Sequence, residues 1–142
     1  MAVGDIPITA VAQIATVYPA QAEVITLIAA STITAGMPLY ITSAGKVAAA
    51  DANAGGLQQF RGIALNAASA MDPVSVLKKG HVYGFDVSGV AYDALLYVSD
   101  TVGRIADGVG TLTVNIGRVV ALPNPALTKV VYVEADWLRV WV

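Results

Sequence analysis

The chain has 142 residues, 56% of them hydrophobic and only 13% charged, with ten acids against eight bases and no cysteine. That length fits one domain with a real core, and the lack of cysteine removes disulfides, thiolate nucleophiles and cysteine-ligated metals. The bases are scattered, with Lys78-Lys79 the only adjacent pair, so nucleic acid finds no electrostatic footprint.

In chain order, "MAVGDIPITAVAQ" places Asp5 and Pro7 where a secretory signal would carry bases and an unbroken apolar run, so export by that route is not expected. Ile8 to Glu23 is rich in alanine and is one of two helical candidates. Pro7 before it and Pro19 inside it suit an extended arm at least as well. Residues 1–21 are therefore read as an N-terminal arm and 22–142 as the main domain, with Ile6, Ile8, Val11, Ile14 and Tyr18 as candidate contact residues of the arm. The uncharged run after Glu23 is interrupted by Gly36-Met37-Pro38 and carries Thr and Ser at strand-like intervals, so no membrane span is expected there.

Strand signals dominate the remainder. Runs rich in Val, Ile, Thr and Tyr occur at Glu23 to Ala30, Pro38 to Thr42, Phe60 to Asn66, Pro73 to Phe85, Ala94 to Ser99, Thr111 to Leu122 and Lys129 to Val142. The second helical candidate, Ala48 to Gly56, is short and ends on two glycines. Short strands at such close spacing predict an all-β domain, a barrel or sandwich of antiparallel hairpins. An internal echo supports hairpin units: "AGMPLYITSAGKVAAADA" (Ala35 to Ala52) resembles "AYDALLYVSDTVGRIADG" (Ala91 to Gly108). "RGIAL" follows the first copy and "IGRVVAL" the second.

Asp86, Asp93, Asp100 and Asp107 recur every seventh residue. Gly89, Gly103 and Gly108 among β-branched residues disfavour a helical heptad, and one acid per turn does not make a calcium loop. The expected role is turn punctuation, with Asp93 the poorest fit because no glycine adjoins it. His81 is the only histidine and stands in a strand-like run, so a nucleophilic triad is not expected. "DANAGGLQQ" lacks the Lys-Ser or Lys-Thr of a phosphate loop. On a continued last strand, Trp137, Arg139 and Trp141 would share one face, with the tryptophans either covering a sheet edge or serving with Arg139 as candidate interface anchors, and Leu138, Val140 and Val142 would share the other, facing the core. No catalytic residue, metal or cofactor is expected.

From "RGIALNAASAMDPVSVLKKGHVYGFDVSGVAYDALLYVSDTVGRIADG" to "GRVVAL" the chain resembles the small capsid cement, or head-decoration, proteins of tailed bacteriophages. The similar features are the Gly-Ile-Ala-Leu-Asn-Ala-Ala strand and loop, Pro-Val-Ser-Val-Leu, Leu-Tyr-Val-Ser with an Asp-Gly turn, and Gly-Arg-Val before a final strand. The resemblance spans roughly residues 34 to 135. It implies a single compact β-barrel or tulip-like domain, commonly trimeric, that binds the major capsid protein on the outer surface of the virion head and reinforces the shell against DNA pressure. Two rivals stay open: a tail or fibre module binding host-surface glycan, and a carboxylate-dependent hydrolase on a β-barrel. Little charge and much apolar surface suit the cement reading, because many modest contacts around a symmetric site multiply.

Overall fold

The computed structural model describes residues 5–9, 14–53 and 56–141. Ten strands form one curled antiparallel sheet: β1 (Ala15–Thr16), β2 (Glu23–Ile28), β3 (Pro38–Ile41), β4 (Val47–Ala49), β5 (Gly62–Ala64), β6 (Pro73–Tyr83), β7 (Leu95–Val98), β8 (Ile105–Ala106), β9 (Asn115–Ala121) and β10 (Lys129–Glu134). No α-helix occurs among the described residues, so the domain is all-β and barrel-like. Neither alanine-rich candidate holds α-helix among its described residues. Ala48 and Ala49 belong to β4, and the N-terminal one holds β1 and a single 3-10 turn at Pro19–Gln21. β-branched neighbours and tertiary pairing override the helix preference of alanine in both.

The sheet order β4-β3-β5-β6-β10-β9-β7-β8 reads as two copies of one four-stranded unit joined back to back. β3 to β6 pair among themselves in the way that β7 to β10 do. This is the physical content of the sequence echo, and it reaches further than two hairpins. Leu39 pairs with Gly62 in the first unit, and the equivalent Leu96 pairs with Gly117 in the second. Both glycines lie where the facing strand leaves no room for a side chain: a Cβ on Gly62 would fall 2.6 Å from the carbonyl oxygen of Leu77, and one on Gly117 would fall 1.7 Å from that of Tyr132.

β6 holds the halves together. One edge pairs with β2 and β1, the other with β5 and then β10. Val74 and Val76 enter a smaller core with Ala29, Ile33, Leu39 and Val47, whereas Leu77 and Val82 enter the larger core around Phe60, Ile63, Leu96, Ile116 and Val131. Val76 and Leu77 are neighbours on opposite faces of β6, one in each core, and the register slip opposite Lys78, with Gly80 at φ 148°, puts Val82 on the same side as Leu77 although they are five residues apart.

Two seams close the curl. Residues after β2 return to β4, with Ala29 bridged to Val47 and the Ala30 N–H donating to the Val47 carbonyl at 2.8 Å. At the other end Asp5–Thr9 lies between β8 and the continuation of β6. Asp5 bridges Ala106, the Ile6 N–H donates to the Ile105 carbonyl at 2.8 Å, Ile8 bridges Phe85, and the Thr9 N–H donates to the Gly84 carbonyl at 2.7 Å. The buried Asp5 carboxylate also accepts the Ser99 hydroxyl proton. Apart from the 3-10 turn at Pro19–Gln21 the described part of the arm is extended, and it is laid along its own barrel through Asp5–Thr9 and β1.

The last predicted strand is shorter than its apolar pattern suggests. β10 stops at Glu134; the Asp136 carboxylate then accepts the Leu138 N–H at 3.2 Å, turning the chain out of the sheet. Leu138 and Val140 do not reach the core: they are 96% and 72% exposed. Val142 lies outside the described residues.

A candidate docking surface

The turned-out C-terminal segment is fastened rather than loose. Trp141 is 5% exposed and packs into the larger core. Its N–H donates to Gln59 Oε1 at 2.9 Å, and its carbonyl accepts Gln59 Nε2 at 2.7 Å and Gln58 Nε2 at 3.2 Å. Trp137 donates its indole N–H to the Arg61 carbonyl at 2.7 Å, and the Arg61 guanidinium donates to the Arg139 carbonyl at 3.3 Å. Arg139 stacks over the Trp141 ring at 4.2 Å. Between these anchors Leu138 and Val140 point into solvent. A segment already ordered loses little conformational entropy when a partner covers it, so such apolar side chains are poised for contact.

Beside this segment runs a groove of about 410 Å³ lined by Ala22, Glu23, Val24, Ile25, Lys78 and Trp137. Val24 and Ile25 are 47% and 38% exposed. Lys78 Nζ sits 5.2 Å from the Trp137 ring centre and 3.9 Å from the Glu23 carboxylate, giving an apolar floor with a charged rim.

The candidate contact residues divide. Trp137 and Arg139 lie at this surface, Trp137 partly buried and Arg139 exposed. Ile6 and Ile14 are core residues of their own barrel, as is Trp141, and Ile8 packs against that core. The same apolar side chain that could anchor a neighbour is here satisfied within the chain. Tyr18 is partly exposed and meets His81 edge-on at 5.1 Å, while Val11 lies outside the described residues. Leu138, Val140, Val24 and Ile25 were not among the predicted contacts. The signal available for the first two was Asp136, an Asx-turn residue directly after an apolar strand.

The four spaced aspartates serve turns. Asp86 accepts the Ser88 N–H and hydroxyl at 3.2 and 2.7 Å, which holds its carboxyl below the usual range, with the Ser88 hydroxyl the larger cause. Asp93, the poor fit, itself adopts φ 64° in a turn, a conformation in which Asp substitutes for glycine. Asp100 accepts the Thr111 N–H at 2.8 Å, joining two loops, and Asp107 sits in the bend after β8. Among the described residues no three His, Asp or Glu side chains gather where they could hold a metal ion.

His81 lies on the outer face of β6 between Tyr18 and Tyr132, whose ring centre is 5.0 Å away. Partial burial disfavours its charged form and lowers its pKa from 6.5. The unfolded chain therefore binds the proton more readily, so this group contributes stability above pH 6.5 that is lost as pH falls toward the folded pKa. Urea midpoints measured from pH 7.5 to 5.5 are expected to decline, and His81→Phe is expected to flatten that decline.

Comparison with known proteins returns no matching family model, no matching curated protein and no matching solved structure.

Proposed function

We propose that the chain is a structural, non-enzymatic virion protein: a capsid decoration protein that binds the major capsid protein on the outside of an icosahedral phage head, as a trimer, and stabilises the shell against internal DNA pressure. The observation that carries this reading is the pinned C-terminal segment, which exposes Leu138 and Val140 while Trp141 anchors it from behind. Sparse charge and the strand-and-turn resemblance to cement proteins point the same way.

Purified protein mixed with undecorated expanded heads is expected to bind saturably and in a symmetric array. The double variant Leu138→Asp, Val140→Asp should fold normally, since both side chains face solvent, and should lose roughly 100-fold or more in head affinity, the scale of removing two hot-spot side chains. Unchanged binding by this variant would move the contact elsewhere. No binding by the parent protein would reject the function.

A further inference from the structure

Among the described residues, β2 is the one strand longer than two residues that pairs along a single edge, its other edge facing away from β6. Open edges are normally guarded by lysine or proline. Val24–Ile28 contains neither, and Val24, Ile25 and Ile28 are 47%, 38% and 37% exposed. Apart from the bulge at Glu23–Val24 the strand pairs regularly with β6, so nothing in it obstructs a further strand.

The sequence of this edge identifies its occupant. "VITLI" reads alike from both ends about Thr26: Val24 corresponds to Ile28 and Ile25 to Leu27. In an antiparallel pair, directly opposed residues share a face of the sheet. A second copy aligned on Thr26 would set Val24 against Ile28, Ile25 against Leu27 and Thr26 against Thr26, with both Glu23 side chains outside the matched stretch. Every opposed pair is then apolar or hydroxyl with hydroxyl, and no like charges meet.

From this self-complementarity and an edge that no described residue covers, we infer that two copies of the chain pair through β2, antiparallel and centred on Thr26, extending the sheet from one molecule into the next. A segment pairing with itself requires a two-fold axis. The contact is therefore distinct from any three-fold contact within a trimer, and it does not depend on the proposed decoration role.

The chain has no cysteine, so single-cysteine variants report the contact directly. Opposed Cα atoms in an antiparallel pair stand about 4.5–5.5 Å apart, within disulfide span. Thr26→Cys under mild oxidation of the folded protein is expected to give a covalent dimer on the order of tenfold faster than Ser43→Cys, a solvent-exposed turn control, because pairing raises the effective concentration. Val24→Cys and Ile28→Cys should each fail to cross-link alone and succeed when mixed. Adding Ile25→Lys to Thr26→Cys should suppress the dimer while leaving the melting curve intact. Cross-linking of both Thr26→Cys and Ile25→Cys no faster than the Ser43→Cys control overturns the contact, including the case in which another protein's strand covers this edge. Efficient self-cross-linking of Ile25→Cys in place of Thr26→Cys overturns the register.

Discussion

Trp141→Ala is expected to destabilise the domain by about 3–5 kcal/mol, the usual cost of truncating a buried aromatic residue. The loss should match a mid-core substitution because the ring is 5% exposed and belongs to the same larger core as Phe60 and Ile63. The released segment would also surrender the hydrogen bonds from Gln58 and Gln59. Trp141→Phe should cost only about 1–2 kcal/mol, since the Trp141 indole nitrogen is buried without a hydrogen-bond partner among the described residues, so phenylalanine loses volume and part of the Arg139 stacking but no hydrogen bond. Urea unfolding with fitted midpoint and slope would separate the two. Near-neutral behaviour of the alanine variant would mean that the segment is not anchored as described, and the proposed display of Leu138 and Val140 would lose its support.

The second large effect belongs to Gly117→Ala. A methyl group there would stand 1.7 Å from the Tyr132 carbonyl oxygen and 2.8 Å from its carbon, so β9 and β10 could not keep their present separation. Backbone cannot step aside as a flexible side chain can. The expected cost is about 3 kcal/mol or more, at or beyond the upper end of overpacking. Gly62→Ala, at the equivalent position of the other unit, meets Val76 Cγ1 at 2.5 Å and the Leu77 oxygen at 2.6 Å and should also destabilise strongly. Gly89→Ala meets nothing within 4 Å and should fall within about 0.5 kcal/mol of the parent. Thermal melts of the three variants rank these positions. A tolerated Gly117→Ala would contradict the close approach of the two strands and with it the equivalence of the two units.

Much of the barrel was legible in the residues. The β-branched runs marked most of the strands, and the echo marked β3–β4 and β7–β8 as related hairpins. The echo also reached β5 and β9 through "RGIAL" and "IGRVVAL"; the equivalence of β6 and β10 was hidden, because Pro73–Tyr83 and Lys129–Glu134 share little sequence and their likeness resides in long-range pairing. The apolar alternation in "WLRVW" signalled a strand that Asp136 and the glutamines at 58 and 59 redirect into a tail. The contact residues proposed for the arm divide for a related reason: the apolar character of Ile6 and Ile14 shows that they must be buried, but not by which molecule. The same ambiguity bears on β2, which among the described residues pairs on one side and leaves Val24, Ile25 and Ile28 exposed.

If the chain is a cement protein, its effect on the container is the direct test. The measurement is the temperature at which undecorated, DNA-filled heads release their DNA, taken at increasing ratios of added protein. The account predicts a rise that saturates at the ratio where binding saturates and that disappears with the Leu138→Asp, Val140→Asp variant. A release temperature unmoved by saturating amounts of parent protein would contradict it.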